Sequence, residues 1–367
     1  MLAAICDVIY ARYPFAKIVL PPVAGFRDRA VFGVYQLGSV NKFGYDFGVL
    51  LRVLPARMRN LFGIVMPSEI DAVIDASGFA YGDQWGEEKA KKRLGANIVR
   101  FKAVSKHRKV IMMPQAMGPF SDKPLANQMR TILRNCDLVF ARDSTSLRYA
   151  REVCDQDHIK LAPDFTNLLE ATYQGRQQIP KDAVCFIPNN KMLEMKPDTD
   201  PTQYVSFMSS LIKAALALEQ NCYVLVHEGI GDVNLANAIA TKVGEEIEII
   251  QLSSTKDIKA AIGKSKLVIS SRFHGLVSAL SQGVPVIATG WSHKYQSLLQ
   301  DYGVGGHLYN EQTQREEALL ALRNLLTNDT ELRALKSRVL NGASEQKQLT
   351  EKMWLEVFPI LDKAIRP

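Results

Sequence analysis

The stretch 267–294 constrains the fold of this chain most, because its apolar pattern predicts a strand, a turn, a helix and a second strand. Residues 267–269 are apolar and rich in β-branched side chains, which is typical of a buried parallel strand. Apolar side chains then recur at helical spacing up to Gly283, and residues 284–288 begin the next strand. Such a strand–helix–strand unit predicts a parallel sheet covered by helices.

The turn of this unit holds Arg272, Phe273 and His274, at the carboxyl end of the strand and in the first turn of the helix. Open α/β sheets bind ligands at this edge, and a helix N-terminus offers N–H groups and positive potential to an anion. Arginine adds a planar two-pronged clamp, and histidine exchanges protons near neutral pH. The turn therefore predicts an anion site with a proton-transfer group. A plain turn with a solvated arginine and a structural histidine is the alternative.

Three further strands are predicted around residues 110–113, 138–141 and 161–162, and polar residues follow each of them. These exit residues are Gln115 and Gly118 after the first strand, Arg142 and Asp143 after the second, and Asp164 after the third. Because the carboxyl ends of parallel strands meet at one edge of a sheet, we expect these residues to share a site. Taken singly, each is also compatible with a helix cap or a surface ion pair.

Two more segments are candidates for substrate binding. A predicted strand in the second half of the chain ends at His227 and Glu228. A glycine-rich loop in the first half holds Tyr81, Asp83 and Trp85, whose rings and polar groups suit a sugar. A loop packed by its own aromatic side chains is the alternative for this segment.

With 47% hydrophobic and 23% charged residues over 367 positions, the chain is typical of a soluble protein with two α/β domains. Its apolar runs are too short to span a bilayer, its start lacks the basic segment of a signal peptide, and no metal-ligand spacing is found. The five cysteines show no paired spacing, which favours reduced thiols in a cytoplasmic protein. Nucleic acid is disfavoured as a partner, because no basic stretch interleaves with aromatic residues.

The net charge of +7 lies in residues 1–175, which hold 24 Lys and Arg against 17 Asp and Glu, whereas residues 176–367 hold 21 of each. Much of the excess lies between Lys89 and Lys109, where apolar residues mark a helix stripe. A basic amphipathic helix suits the surface of an anionic membrane, so peripheral contact at the inner face of the cytoplasmic membrane is one interpretation. A surface helix docked on a sheet is the other.

Residues 171–180 are polar and lack periodicity, so we place the domain linker there. We predict one domain at 1–172, a second at 180–345, and a final helix at 346–367 that packs back on the first domain. The chain opens with a helical pattern, whereas a doubly wound domain usually begins with a strand and a glycine turn. Two interpretations are open: Met1 is an internal start, or the first domain lacks its opening strand.

In order and spacing, these fragments resemble the polysaccharide pyruvyl transferase family over residues 70–300. The motifs that carry the resemblance are Gly78 with its loop, Pro114-Gln115 with Gly118-Pro119, Ala141-Arg142-Asp143-Ser144, Pro163-Asp164, Ser271-Arg272-Phe273-His274-Gly275, and Gly283-Val284-Pro285-Val286 with Lys294. The resemblance implies a GT-B-like fold, in which two Rossmann-like, doubly wound parallel-sheet domains face a cleft. It also implies phosphoenolpyruvate as donor and a sugar hydroxyl pair as acceptor, on a polysaccharide or its lipid-linked precursor. The products would be a cyclic pyruvate ketal and phosphate.

Phosphoenolpyruvate carries a carboxylate and a phosphate, so a site for it needs two positive anchors. We expect Arg272 with the helix N-terminus to supply one anchor and Arg142 the other, while Lys294 neutralises the departing phosphate. The remaining predicted donor contacts are Ser271, Phe273 and Gly275.

His274 is the candidate acid/base, because its pKa range suits both giving and taking a proton. Asp143 or Asp164 either receives the proton of the acceptor hydroxyl or orients Arg142, and both roles remain open. No cofactor and no metal is expected besides the donor substrate.

Two rival functions fit the same pattern. A GT-B glycosyltransferase that uses a nucleotide sugar shares the fold and the phosphate clamp. It needs a ribose-binding carboxylate late in the second domain, where Asp301 and Glu311 stand in no convincing pattern. A non-catalytic sugar-binding remnant is the second rival.

Overall fold

A computed structural model describes residues 1–22, 25–38, 41–42, 45–46, 51, 53–95, 98–194, 201–290 and 292–365. The chain divides into two compact units. The first unit comprises Met1–Ala141, Ser146–Leu161 and Trp354–Pro367, and the second comprises Arg142–Thr145 and Ala162–Met353.

The first unit contains a small sheet, a two-stranded ribbon and a larger sheet. Its strands are β1 (Val19–Leu20), β2 (Tyr35–Leu37), β3 (Asn41–Lys42), β4 (Tyr45–Asp46), β5 (Ile64–Val65), β6 (Ala72–Asp75), β7 (Phe79–Tyr81), β8 (Lys109–Met117), β9 (Leu138–Ala141) and β10 (Ile159–Leu161). The small sheet has the order β1-β2-β5, and the larger one has the order β10-β9-β8-β6 with β7 also paired to β8. All these pairings are parallel except the ribbon β3–β4.

The second unit is built on a five-stranded parallel sheet. Its strands are β11 (Val184–Ile187), β12 (Cys222–Val226), β13 (Glu248–Gln251), β14 (Leu267–Ser270) and β15 (Val286–Ala288), in the order β13-β12-β11-β14-β15. The two central strands, β11 and β14, are completely buried, because helices cover both faces of such a sheet. The predicted α/β class with parallel sheets is confirmed.

Helices connect these strands in both units. The α-helices are α1 (Leu2–Arg12), α2 (Phe26–Phe32), α3 (Ala56–Leu61), α4 (Gly86–Ala90), α5 (Ile98–Val104), α6 (Lys123–Asn135), α7 (Ser144–Val153), α8 (Lys191–Glu194), α9 (Pro201–Leu216), α10 (Gly229–Val243), α11 (Thr255–Gly263), α12 (Phe273–Leu280), α13 (His293–Asp301), α14 (Arg315–Thr327) and α15 (Asp329–Asp362). A π-helical turn spans Lys91–Gly95, and 3-10 turns span Pro67–Glu69, Phe165–Leu168 and Gly305–His307. Within the described residues, no helix is long and apolar enough to cross a membrane.

The predicted elements around the chemistry-bearing turns are present, but β8 is longer than expected. The sequence pattern placed Pro114 and Gln115 in an exit loop, whereas the strand continues through both to Met117. The register between β8 and β9 shifts between Met112 and Gln115. Such an irregularity accommodates a proline that cannot donate to the ladder, and β7 pairs with the end of the strand.

Residues 171–180, predicted as a linker, belong to the second unit. The backbone N–H of Gln174 donates to Asp257 Oδ1 at 2.7 Å, Gln177 Nε2 donates to Glu248 at 3.1 Å, and Ile179 is buried in the core. These contacts explain why a polar stretch without periodicity is nevertheless packed.

At the other end of the chain, residues 354–367 group with the first unit. Tyr13 of α1 donates to Asp362 at 2.6 Å, and its ring meets Phe358 edge to face. Within the same unit the chain opens with α1, and the short strand β1 follows it in the small sheet. The absence of an opening strand remains a prediction.

The basic stretch Lys89–Lys109 forms α4, the π-helical turn and α5 instead of one helix. Its apolar stripe faces the protein: Ala90 and Ile98 are buried, and Phe101 packs against the core of the first unit. This arrangement favours the docked surface helix over the membrane-lying helix for this stretch.

Candidate active site

Ser270 and Ser271 fix the turn between β14 and α12. Ser270 Oγ accepts a hydrogen bond from the backbone N–H of Arg272 at 3.0 Å. The Ser271 hydroxyl pairs with the Tyr204 hydroxyl at 2.6 Å, and its carbonyl accepts from Asn189 Nδ2 at 2.9 Å. Ser271 is completely buried, so its predicted donor contact is corrected: its side chain belongs to the scaffold that orients the turn.

Two glycines let the backbone pack closely around this turn. A Cβ at Gly275 would lie 2.9 Å from Ser270 Oγ and 3.2 Å from Ile187 Cδ1. Gly283 has a φ of +76°, and a Cβ there would overlap the side chain of Leu340. Gly275, predicted as a donor contact, is therefore required for packing α12 onto the sheet.

Arg142 and Asp164 form a buried ion pair after β9 and β10. Arg142 Nη1 donates to Asp164 Oδ2 at 3.0 Å, and the two side chains are 5% and 4% exposed. Asp164 Oδ1 accepts from the N–H and the hydroxyl of Thr166 at 3.0 and 2.5 Å. The carbonyls of Thr166 and Asn167 in turn accept from the buried ammonium of Lys259. This ion pair fits the role of orienting Arg142, which is one of the two alternatives left open by the sequence.

Phe273 is the platform on which two cations converge. The Arg142 guanidinium carbon lies 3.9 Å from the centre of its ring, and Lys294 Nζ lies 5.5 Å from it. Cations over an aromatic face are attracted by the ring quadrupole. Arg142 Nε is buried and has no hydrogen-bond partner among the described residues. Its N–H group can therefore donate a hydrogen bond to a ligand.

Lys294 is buried in the first turn of α13. Burial, with Arg142 and Arg272 nearby, lowers the pKa of Lys294 to about 7, against the opposing effect of Asp143. The amine is therefore balanced between its charged and neutral forms near neutral pH. An anion placed beside it would favour the charged form.

His274 points toward the ion pair of Arg142 and Asp164. Its Nε2 lies 3.6 Å from Asp164 Oδ2, a distance too long for a hydrogen bond, and has no hydrogen-bond partner within the described ranges. Burial lowers the pKa of His274 to about 3, although Asp164 opposes this shift. Burial raises the pKa of Asp164, but His274, Arg142 and the Thr166 hydrogen bonds outweigh it and lower the pKa to about 2. Near neutral pH the pair is thus a carboxylate beside a neutral imidazole.

Asp143 is buried next to His293, whose Nε2 lies 3.6 Å from Asp143 Oδ1. Burial lowers the pKa of His293, against the effect of Asp143. Both residues flank Lys294 and its pocket. Asp143 therefore remains the candidate for accepting a proton from an acceptor hydroxyl.

Arg272 is held by two carboxylates of its own unit. Its Nε and Nη2 donate to Asp232 at 2.9 and 2.5 Å, and its Nη1 donates to Glu228 at 2.6 Å. Three of its five N–H groups are thus occupied, and two remain for the predicted donor contact. The Glu228 carboxylate forms an ion pair with Arg272. Burial and the charge of Arg272 lower the pKa of the neighbouring His227 to about 4.

A pocket of the second unit gathers most of these groups. It is lined by Arg142, Asp143, Pro163, Asp164, Phe273, Lys294, Ser297, Leu298, Asp301, Tyr302 and Gln346. Burial and the nearby Asp143 raise the pKa of Asp301 to about 6. The pocket thus combines two cations with acidic groups and an aromatic wall. Within the described part of the chain, no three or more His, Cys, Asp or Glu residues are grouped to hold a metal ion.

Sequence reasoning did not place Asp301, Gln346 or Asp232 in this arrangement, although it weighed Asp301 as a ribose-binding carboxylate. Asp301 was detectable, because it follows Lys294 by seven residues and therefore lies on the same side of α13. Asp232 follows Glu228 by four residues in the same way. Gln346 comes from a distant part of the chain, and no local pattern indicates it.

The remaining predicted site residues lie in the first unit. Tyr81 is completely buried and donates to Asp75 at 2.5 Å, so its ring has no face for a sugar and the stacking prediction is corrected. Gln115 is buried and donates to the carbonyl of Asp75 at 3.3 Å, while its Oε1 has no partner among the described residues. A Cβ at Gly118 would lie 2.5 Å from Tyr149, which gives this glycine a packing role.

The loop after β7 is packed by its own side chains. Trp85 meets Phe79 edge to face at 6.0 Å, and the Lys89 ammonium lies 3.8 Å from its ring centre. Asp83 accepts from the backbone N–H of Ser121 at 3.0 Å. The alternative of a loop packed by its own aromatics therefore describes Trp85 better than an open stacking platform.

Solved structures similar to this chain share its fold. HepE of Anabaena, in complex with UDP-glucose, is 14% identical, with 98% of this chain and 95% of that chain covered at a TM-score of 0.57. The UDP-GlcNAc 2-epimerase of Neisseria meningitidis, bound to UDP-GlcNAc, is 10% identical, with 97% and 95% covered at a TM-score of 0.58. At this identity the likeness concerns the fold alone, which is that of GT-B glycosyltransferases and epimerases.

No curated protein matches the sequence. A family model does, and it spans residues 1–293, which include Arg142, Asp164 and the turn at 271–275. Its description is polysaccharide pyruvyl transferase. The chain therefore belongs to the polysaccharide pyruvyl transferase family and is a transferase.

Proposed function

We propose that this chain takes the pyruvyl group from phosphoenolpyruvate and joins it to two hydroxyls of a sugar as a cyclic ketal, with release of phosphate. The observation that carries the proposal is the convergence of Arg142 and Lys294 on Phe273, beside His274, whose Nε2 has no hydrogen-bond partner among the described residues. Two buried cations next to a proton-transfer group match a donor that carries two anionic groups and reacts by protonation.

The donor's anions are held by Arg142, Lys294 and the first turn of α12. Arg142 still has a buried Nε–H to offer, and Lys294 gains positive charge when an anion approaches. The backbone N–H groups at the start of α12 add positive potential. Arg272 contributes through those N–H groups that Asp232 leaves unoccupied.

His274 delivers a proton to the methylene carbon of the donor, which leaves a cationic centre at the adjacent carbon. Its imidazole is neutral before the donor binds, so the donor's negative charge must raise its pKa first. Asp164, 3.6 Å away, stabilises the imidazolium thus formed. The proton therefore enters together with the substrate.

Both acceptor hydroxyls add to the same carbon in sequence. The first addition forms a C–O bond to the sugar. The departure of phosphate then breaks the bond between the same carbon and the oxygen that bridges it to phosphorus, and the second hydroxyl closes the ketal. The two hydroxyls give up two protons, of which one balances the proton on the new methyl group and one leaves on phosphate. Asp143 is the residue we assign to receive the hydroxyl proton, because it is a buried carboxylate in the same pocket.

The test combines binding and turnover. Phosphoenolpyruvate should raise the thermal unfolding midpoint of the chain, whereas UDP and GDP should not. With a pyruvate-free glycan as acceptor, the chain should release phosphate from phosphoenolpyruvate, and the glycan should gain a pyruvate ketal seen by mass spectrometry. Stabilisation by UDP or GDP without phosphate release would replace this proposal by a nucleotide-sugar glycosyltransferase. Donor binding without turnover on any acceptor would favour the non-catalytic remnant.

A lipid-linked acceptor and an anionic membrane surface belong to the same proposal, and the composition and exposure of one segment of the first unit support them. Residues 12–62 hold eight Lys and Arg against two Asp. In the same segment Phe15, Val53, Leu61 and Phe62 are 98%, 83%, 83% and 71% exposed, and α3 buries none of its residues. Exposed apolar side chains among basic ones suit an anionic lipid surface.

Liposome flotation tests this contact. Binding should require anionic lipid, and replacing both Leu61 and Phe62 by Ser should weaken it, while Leu340→Ser, at an exposed leucine of the second unit, should not. Equal binding to neutral vesicles, or no binding to either, would remove the membrane from the proposal.

A further inference from the structure

The two carboxylates that hold Arg272 differ strongly in burial. Asp232 is completely buried, and its oxygens also accept from the backbone N–H groups of Asn190 at 3.0 Å and Glu228 at 3.1 Å. The Glu228 side chain is 74% exposed, and its carboxylate contacts Arg272 Nη1 alone in the described structure. One partner is therefore built into the fold, and the other reaches in from solvent.

This difference sets how easily each carboxylate can leave. Removing Asp232 would leave a partly buried guanidinium without its carboxylate and break two backbone hydrogen bonds, which should strongly lower the free energy of unfolding. The Glu228 contact contributes little to stability, because water solvates its exposed carboxylate nearly as well, and Arg272, whose side chain is 13% exposed, keeps its two hydrogen bonds to Asp232. Glu228 can therefore move away from Arg272 at small cost, whereas Asp232 cannot.

We propose that Glu228 is an exchangeable counter-anion, which occupies the outer N–H groups of Arg272 until an anionic group of the donor displaces it. The inference rests on the proposed function, because it requires a donor anion near Arg272. Arg272 directly precedes Phe273, which lines the pocket together with Lys294, and this position at the start of α12 supports that proximity. Glu228 is thus a specificity-determining residue: a donor with several negative charges outcompetes it, and a singly charged anion does not.

Removing the competing charge should therefore tighten donor binding. Glu228→Gln keeps the size of the side chain and cancels its negative charge, so the donor meets Arg272 without a rival. We expect the dissociation constant and KM for phosphoenolpyruvate to fall about two- to fivefold, the range that an exposed ion pair allows. Turnover at saturating donor should change less than twofold, since the displaced carboxylate takes no part in the reaction.

Glu152→Gln is the matched control, because Glu152 forms an exposed ion pair with Arg148 at 2.7 Å in the first unit. The full chain is titrated with phosphoenolpyruvate and with pyruvate by calorimetry, and phosphate release is followed with an acceptor glycan. Glu228→Gln should bind both anions more tightly, and pyruvate should gain the larger factor. Glu152→Gln should leave both constants unchanged.

The outcomes separate the inference from the function on which it rests. If the unmodified chain binds phosphoenolpyruvate and Glu228→Gln binds it equally or more weakly, Glu228 does not compete, and the inference is overturned while the function stands. If Glu228→Gln loses turnover at unchanged KM, Glu228 acts in the reaction instead. If the unmodified chain fails to bind phosphoenolpyruvate, the proposed function fails, and the inference fails with it.

Discussion

Two arginines of the second unit follow strands of parallel sheets, and each is paired with a buried aspartate, yet their surroundings differ. Arg142 is 5% exposed, lies against Phe273 and keeps an unpartnered Nε–H among the described residues. Arg272 is 13% exposed and is saturated on three N–H groups, one of them by an exposed glutamate. The same ion-pair design thus yields a rigid anchor in one case and an adjustable one in the other.

The largest difference between the two arginines is expected to show at His274, whose Nε2 lies 3.6 Å from Asp164, the partner of Arg142. His274→Gln keeps a polar side chain but cannot carry a proton, so turnover should fall about 10²- to 10⁴-fold. Donor affinity should change little, because Arg142 and Lys294 remain. Phosphate release at saturating donor, alongside calorimetric binding, measures both quantities. Lost binding with retained turnover would show that His274 is an anchor and not an acid.

The rigid anchor also contributes to folding. Asp164→Asn leaves the Arg142 guanidinium buried without its carboxylate, which should lower the free energy of unfolding by about 3–5 kcal/mol. Glu152→Gln, at an exposed pair, should lower it by about 0.5 kcal/mol or less. Urea unfolding curves of both variants give the comparison. Equal losses would mean that the Arg142–Asp164 pair is no more important for folding than a surface pair.

Lysine substitutions sharpen the contrast in donor binding. Arg142→Lys removes a charge-assisted contact and should weaken donor affinity about 10- to 100-fold. Arg272→Lys should weaken it less, by about two- to tenfold, because most of its guanidinium geometry serves Asp232. Calorimetry on the two variants ranks them. The reverse order would make Arg272 the main anchor, as the sequence alone suggested.

The smallest effect is a proton taken up on binding. Because burial lowers the pKa of Lys294 to about 7, about nine-tenths of its amine is neutral at pH 8. The donor's negative charge raises this pKa, so Lys294 should take up a proton when the donor binds at pH 8, in addition to the proton that His274 takes up, and the Lys294 contribution should vanish below about pH 6, where the amine is already charged. Calorimetry in buffers of different ionisation enthalpy measures the uptake. Lys294→Arg should remove this contribution and leave the uptake by His274, and an unchanged uptake in that variant would assign the proton to another group.

The sequence predicted the turn at Arg272, Phe273 and His274 because its signals are local: an apolar strand, helical spacing and a glycine stop. It could not pair Arg272 with Asp232, since the contact joins the residue that caps α12 to the first turn of α10, 40 residues away. It also misjudged Tyr81, because an aromatic residue in a glycine-rich loop has the same local pattern whether its ring is exposed or buried. Burial is decided by the whole sheet and not by the loop.

The second unit is formed by two separate segments of the chain, and this limits which fragments keep its pocket. Residues 142–145 belong to this unit, although the chain on both sides of them belongs to the first. A fragment that expresses residues 162–353 would keep Asp164, Phe273 and Lys294 but lose Arg142. A shorter fragment that keeps every residue of this pocket must therefore begin at or before Arg142 and carry residues 146–161 of the first unit with it.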